Sequence, residues 1–134
     1  MLAVLATLVT AFVFGGMAFF SFVVAPLVFR RLAKETAAGF MRAAFPLYYA
    51  VMAGASALAA LAAAFVGPIE AAIMGVAAVV FVALRQLLLP ALNAQRERGD
   101  AASDAAFRRL HGLSMVVNLV QLVAVAVALT RLAA

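Results

Sequence analysis

The chain contains no cysteine and only five acidic residues among its 134 positions. The absence of cysteine excludes disulfides, thiolate metal sites and thiol redox chemistry. Every acidic residue lies outside the long apolar stretches, so the intramembrane carboxylates that serve as proton relays in pumps are missing. The sequence also lacks a paired-carboxylate site, a nucleophile motif, a phosphate-binding loop and a metal-ligand cluster. We therefore expect no enzyme activity from this chain alone.

Long uncharged stretches dominate the sequence. Four of them contain no charged residue: 1–29, 43–66, 71–84 and 112–130. A bilayer core about 30 Å thick needs roughly 20 apolar residues in a helix, whereas barrel strands are about 10 residues long and alternate in character. The sequence therefore predicts an all-α integral membrane protein, an up-down four-helix bundle. The expected single domain covers 1–134, with helices at about 2–33, 36–66, 68–98 and 101–132.

The basic residues, which give a net charge of +5, predict the orientation. Eight of them lie in or near the first and third connections: Arg30, Arg31, Lys34, Arg42, Arg96, Arg98, Arg108 and Arg109. The positive-inside rule then places these connections in the cytoplasm and both termini outside. The first stretch is too long for a signal peptide and should remain as a span. The basic surface should attract anionic lipid head groups rather than nucleic acid.

Local signals predict where helices end and how they pack. Gly67-Pro68 and Gly99-Asp100 each combine a residue that ends a helix with one that starts the next. On the first helix the small residues are spaced by four, which predicts a contact face within the bundle or in a homo-oligomer: Ala3, Thr7, Ala11 and Gly15.

An internal similarity relates the two halves of the chain. Phe40-Met41-Arg42 follows Pro26 by 14 residues, and Phe107-Arg108-Arg109 follows Pro90 by 17 residues. This pattern predicts two duplicated helical hairpins in the same orientation.

A layer of polar residues lies just below the predicted cytoplasmic surface. Its members fall at similar depth on the four helices: Ser21, Tyr48, Tyr49, Arg85, Gln86, Ser114 and Asn118. Three prolines that bend helices and remove backbone hydrogen bonds lie near the same level: Pro26, Pro46 and Pro90. We expect a small water-filled pocket open to the cytoplasm. The alternative is that Arg85 extends to the head groups, the tyrosines form an interfacial belt and the prolines shape helix ends.

The fourth helix carries a polar stripe at helical spacing, formed by His111, Ser114, Asn118 and Gln121. Lipid-facing amides are costly, so the stripe should face protein or water. It predicts either hydrogen bonds between helices or a path for a solute or ion. His111, the only histidine, also offers one axial ligand for haem, with Met115 one turn further along. The alternative is a hydrogen-bonded structural histidine.

Several segments carry a family resemblance. They are Gly15-Gly16-Met17-Ala18-Phe19-Phe20-Ser21-Phe22 followed by Ala25-Pro26, then Phe45-Pro46-Leu47-Tyr48-Tyr49, then Phe107-Arg108-Arg109-Leu110-His111-Gly112-Leu113-Ser114-Met115. Together they resemble the transmembrane protein 205-like family of small four-span membrane proteins, also catalogued as a domain of unknown function. Its eukaryotic member is associated with resistance to platinum drugs. The resemblance therefore implies export or trafficking of a soft-metal complex, but no catalytic residues. With the short connections of this chain, it also implies a bacterial member of the inner membrane.

Three functions remain open at this point. The leading expectation is binding or passage of a small solute along the polar face of the fourth helix and the Arg85 layer, in a homo-oligomer or a deep pocket. The second is a membrane redox protein that binds haem or a metal through His111. The third is a non-catalytic scaffold or assembly factor that uses its small-residue faces as an interface.

Overall fold

Four long helices make up the computed structural model, which describes residues 1–134. They are α1 (Leu2–Arg31), α2 (Lys34–Ala63), α3 (Pro68–Arg98) and α4 (Ala101–Ala133). Each is long and apolar enough to cross a membrane, and there are no strands. The prediction of an all-α four-helix membrane bundle is therefore confirmed, and the chain is a multi-pass membrane protein.

The helices form a ring in which α1 and α3 each pack against both α2 and α4. The connections α1–α2 and α3–α4 lie at one end, called the basic end below, and α2–α3 lies at the other. The largest core side chains are Phe81, Met17 and Met74. Most other large apolar side chains point outward, as lipid contact requires.

The helix ends follow the local chemistry. Helix α2 stops before position 66 because the N–H groups of Phe65 and Val66 donate to carbonyls three residues earlier, which tightens the last turn. Gly99 ends α3 in the left-handed conformation, with φ of 70°. The Asp100 carboxylate then accepts a hydrogen bond from the Ser103 N–H at 2.7 Å and starts α4. The predicted stop and start at Gly99-Asp100 are confirmed.

Two helices contain a single wide turn of π-helix immediately before a proline. In α1 it spans Phe20–Val24 and precedes Pro26, and in α3 it spans Leu84–Leu88 and precedes Pro90. In both, the residue just before the proline donates its N–H to the carbonyl five residues earlier. A proline ring clashes with the carbonyl four residues before it in a regular α-helix. The wide turn moves that carbonyl and lets the helix continue to the basic end.

The two wide turns make equivalent bonds between the hairpins. Ser21 and Arg85 each lie five residues before the proline of their helix. The Ser21 hydroxyl accepts a hydrogen bond from Asn118 Nδ2 on α4 at 2.9 Å, and Arg85 Nε donates to the Pro46 carbonyl on α2 at 3.1 Å. Each hairpin therefore forms a hydrogen bond to the other from the residue five positions before its proline. This equivalence supports the prediction of two duplicated hairpins.

The small-residue line predicted on α1 faces the bundle only in part. Ala3 and Gly15 are exposed and Ala11 is half-buried, whereas the half-buried Thr7 has its hydroxyl 3.5 Å from the Leu132 carbonyl of α4. The neighbouring face is buried instead, and its members are Ala6, Thr10, Val13 and Met17. Spacing by four defines a stripe but not its rotation relative to the neighbours, which the larger Val13 and Met17 decide by filling the core.

An ion pair closes the end of the bundle opposite the basic connections. Arg131 Nε near the end of α4 lies 2.5 Å from Glu70 Oε1 in the first turn of α3. The Glu70 side chain is buried, whereas Arg131 is half exposed. The pair therefore ties α4 to α3 where no chain connection joins them.

Adjacent glycines on α1 provide a matched test of this packing. A Cβ on Gly16 would lie 2.7 Å from the terminal carbon of Met52, whereas one on Gly15 would meet nothing within 4 Å. We expect Gly16→Val to lower the free energy of unfolding by about 1–3 kcal/mol, because the stiff branched side chain overpacks the α1–α2 contact. Gly15→Val should change it by no more than about 0.5 kcal/mol. Unfolding by SDS titration in mixed micelles measures both, and equal effects would contradict the packing.

Candidate functional site

A cavity of about 530 Å³ lies between α1, α2 and α4 in the half of the bundle nearer the basic end. Its lining is mainly apolar and aromatic, with a few polar side chains. The wide turn of α1 contributes three consecutive residues to the lining, Phe20, Ser21 and Phe22. Pro26, which follows this wide turn, lines the cavity as well.

Aromatic rings form the wall on the α1–α2 side. The rings of Phe20 and Tyr48 stack with centroids 4.3 Å apart and planes at 14°. Phe45 meets Phe20 edge-on at 5.3 Å, and Tyr49 lies 5.5 Å from Tyr48. The Tyr48 hydroxyl is buried and has no hydrogen-bond partner. The hydroxyl is shielded from water-sized molecules, so this wall presents aromatic rings rather than a polar group to the cavity.

The opposite wall is polar and comes from α1 and α4. Asn118 and Ser21 join these helices through the 2.9 Å hydrogen bond described above. Ser114 also lines the cavity, but its hydroxyl donates to the His111 carbonyl of its own helix at 2.7 Å. The wall thus combines one bond between helices with one bond inside a helix.

The cavity opens sideways between α1 and α4. Several apolar lining residues are largely exposed, with exposed fractions of 66% for Phe22, 60% for Met115 and 57% for Leu119. In a membrane-spanning bundle this surface faces lipid. A molecule dissolved in the bilayer therefore has direct access to the cavity.

A smaller cavity of about 160 Å³ adjoins the first at the basic end. Phe29, Phe45 and His111 line both, so the two spaces are neighbours. Arg42 of α2 and Arg96 of α3 also line the smaller cavity. The larger, apolar cavity therefore adjoins a smaller one lined by two cationic groups.

Aromatic contacts hold the α3 side of this smaller cavity. The Arg96 guanidinium lies over the Phe107 ring, 4.9 Å from its centroid. The Phe107 ring in turn stacks on His111, with centroids 6.2 Å apart and planes at 8°. A cation over an aromatic face is attracted by the ring quadrupole. The Phe107 ring, rather than a carboxylate, therefore positions the Arg96 guanidinium.

The structure brings together some of the predicted site residues and separates others. Ser21, Tyr48, Ser114 and Asn118 line the larger cavity, as do Tyr49, His111, Met115 and Pro26. Pro46 lines the smaller one. Arg85 and Gln86 lie at neither cavity: both are exposed on α3, and Arg85 bonds to α2.

The predicted polar stripe of α4 divides between two interfaces. His111, Ser114 and Asn118 line the larger cavity, but Gln121 is buried against α3, where its Nε2 donates to the Ala77 carbonyl at 3.2 Å. Its Oε1 has no partner, and neither have the buried hydroxyls of Thr10 and Ser56. Gln121 therefore links helices within the core rather than extending the cavity wall.

The residues predicted as haem ligands lie in the same cavity. His111 and Met115 are one turn apart on α4 and both contribute to its lining. No group of three or more His, Cys, Asp or Glu residues is arranged to hold a metal ion. Haem ligation by His111 stays a prediction, and a visible absorption spectrum of the purified protein tests it.

Sequence reasoning missed the cationic part of the site. Arg42 and Arg96 entered only as indicators of orientation, because a basic residue near a helix end is ordinary in membrane proteins. The available signal was the pairing of Arg96 with an aromatic residue across the α3–α4 turn. That pairing depends on the sharp turn at Gly99, which brings Phe107 back beside Arg96.

Comparison with known proteins identifies a family but no activity. Residues 8–101 match the family described as Domain of unknown function (DUF4149). Searches of curated proteins and of solved structures each gave no match. The matched segment covers α1 from residue 8 onward and all of α2 and α3, including both wide turns and the two arginines of the smaller cavity.

A double-mutant cycle tests the bond that ties α1 to α4 across the cavity. We expect Ser21→Ala and Asn118→Ala to show a coupling energy of about 0.6–1.7 kcal/mol, the range for hydrogen bonds between helices in membranes. Ser114→Ala is the control, because its hydroxyl bonds within α4 and should not couple to Ser21→Ala. The free energies of unfolding of the unmodified protein and of the single and double variants, measured in mixed micelles, give both coupling energies. A coupling of zero for Ser21 with Asn118 would contradict the contact.

Proposed function

The chain belongs to the DUF4149 family, and we propose that this member binds a small, largely apolar solute in the larger cavity between α1, α2 and α4. The observation that carries the proposal is the cavity itself, which combines an aromatic wall, a polar wall and a lateral opening. Ligand sites in proteins usually measure about 300–1,000 Å³ and are mostly apolar with a few placed polar groups. This cavity has that size and character.

The lining of the cavity supports an apolar ligand. The Tyr48 hydroxyl is buried without a partner and is shielded from the cavity, so a solute would contact the rings of Phe20, Phe45 and Tyr48 rather than this hydroxyl. The polar side chains of the opposite wall already bond to each other or within α4. The proposed ligand is therefore apolar over the part of its surface that this cavity holds.

The orientation and the finer family placement are part of the same proposal. The distribution of basic residues supports a cytoplasmic basic end and outward termini. The transmembrane protein 205-like resemblance, together with the short connections, supports a bacterial inner membrane. The segments Phe45–Tyr49 and Phe107–Met115, which carry the transmembrane protein 205-like resemblance, contribute to the lining of the two cavities. We propose that the chain is of that type and that these segments serve the ligand.

Passage of the solute across the membrane would require more than this pocket. The larger cavity is built from three helices of one chain, so binding needs no second subunit. A homo-oligomer, which the outward-facing small residues of α1 support, would be the route to a continuous path. Binding is therefore the core of the proposal, and transport is its extension.

Intrinsic fluorescence offers a site-specific binding assay. The chain has two tyrosines and no tryptophan, and both Tyr48 and Tyr49 line the larger cavity. We expect bromododecanol, an apolar alcohol with a heavy-atom quencher, to quench this fluorescence saturably in neutral-detergent micelles. Ser114→Phe should abolish the saturable component because the added ring fills the cavity.

The control for this experiment is Gln95→Leu, which removes a polar side chain at neither cavity and should leave the titration unchanged. Partition of the probe into micelles alone gives quenching that rises linearly with concentration. The proposed function would be contradicted if the quenching were linear, with the same slope, in three proteins: the unmodified protein, Ser114→Phe and Gln95→Leu.

Tyr48→Phe separates a binding role from a structural one. Removing the unpartnered hydroxyl should raise the free energy of unfolding by about 1 kcal/mol, since a buried polar group without a partner is costly. The same change should leave the affinity for bromododecanol within about twofold, because the hydroxyl is shielded from the cavity. Tyr49 remains as the fluorescent reporter. A loss of affinity of about tenfold or more would show that the ligand bonds to the hydroxyl and would contradict its burial.

A further inference from the structure

We infer that the ligand is an anionic amphiphile whose acidic group binds between Arg42 and Arg96 in the smaller cavity while its alkyl chain lies in the larger one. This inference rests on the proposed function and specifies its ligand class. The shared chemistry is an oxyanion on an apolar chain, as in a fatty acid or an acidic membrane lipid.

The charges of the smaller cavity are uncompensated within the chain. The only ion pair of the structure joins Arg131 to Glu70 at the opposite end of the bundle. Arg42 and Arg96 therefore have no carboxylate partner, although both line the same space of about 160 Å³. Because both guanidinium groups line this one space, their like charges repel each other. An anion between them would relieve this repulsion.

The types of side chain fit an oxyanion. Guanidinium groups bind carboxylate and phosphate through directional N–H donors and form stronger hydrogen bonds to charged acceptors than to neutral ones. Asn93 and His111 add polar side chains to the same lining. Stacking on the Phe107 ring restricts Arg96 and so reduces the entropy lost when it binds.

The position of this cationic space selects an amphiphile over a soluble anion. It adjoins the apolar cavity through Phe29, Phe45 and His111, and that cavity opens to the lipid-facing surface between α1 and α4. An amphiphile in the membrane can occupy both cavities at once. Its acidic group would lie in the smaller cavity at the basic end, and its chain would run parallel to the helices in the larger one. A free phosphate ion would fill only the smaller one.

Two brominated probes of equal chain length, bromododecanoate and bromododecanol, test the inference in the tyrosine assay at neutral pH. In the unmodified protein we expect the acid to bind about ten- to hundredfold more tightly than the alcohol, as for charge-assisted hydrogen bonds. Replacing both cavity arginines, Arg42→Gln with Arg96→Gln, should reduce the affinity for the acid to that for the alcohol. The affinity for the alcohol should stay the same, which also shows that this variant folds.

The matched control is Arg98→Gln with Arg109→Gln, which removes the same charge from exposed positions at neither cavity. It should keep the preference for the acid. An equal loss in this control would assign the preference to surface charge and overturn the inference. So would equal affinities for the acid and the alcohol in the unmodified protein, although saturable binding of the alcohol would leave the proposed function standing. Absence of saturable quenching by either probe would instead reject the proposed function.

Inorganic phosphate distinguishes an amphiphile from a soluble anion. It should compete only weakly with bromododecanoate and should not displace bromododecanol. Phosphate that displaces the acid at concentrations similar to the acid's own dissociation constant would show that the chain contributes nothing to recognition, and would replace the amphiphile with a soluble anion.

Discussion

Every backbone N–H and C=O group inside the membrane must find its partner within the protein, because lipid offers none. Proline breaks this rule locally, since it lacks the N–H and clashes with the preceding turn. In α1 and α3 the chain responds with a wide turn just before Pro26 and Pro90. The turn in α1 places Phe20, Ser21 and Phe22 together at the larger cavity. The site thus depends on how the helix accommodates one proline.

The same device serves different purposes in the two hairpins. At equivalent positions, Ser21 bonds a side-chain amide and Arg85 bonds a backbone carbonyl. Of these two residues, only Ser21 lies at one of the two cavities. There the rings of Phe20 and Tyr48 stack on each other and leave open space beyond them. The two hairpins thus share a wide turn and a bond from the same position of that turn, whereas only the turn of α1 lines one of the two cavities.

The sequence predicted the four helices and the stop and start at Gly99-Asp100, because lipid burial and helix capping are local constraints. It also predicted that Ser21, Tyr48 and Asn118 lie at similar depth, and the structure brings these three to one cavity. It did not separate Arg85 and Gln86 from them, because position along a helix gives depth but not the direction in which a side chain points. The pairing of Arg42 with Arg96 depends on the arrangement of three helices, which no local pattern contains.

The most direct measurement of ligand binding is photolabelling with a fatty acid that carries a diazirine on its chain, followed by mass spectrometry of the labelled peptides. If the chain of the ligand occupies the larger cavity, labels should concentrate in residues 20–29 of α1 and 111–122 of α4, and excess unlabelled fatty acid should remove them. Labels spread evenly over lipid-facing residues such as Phe65, Val76 and Val79, without competition, would show that the cavity holds no ligand.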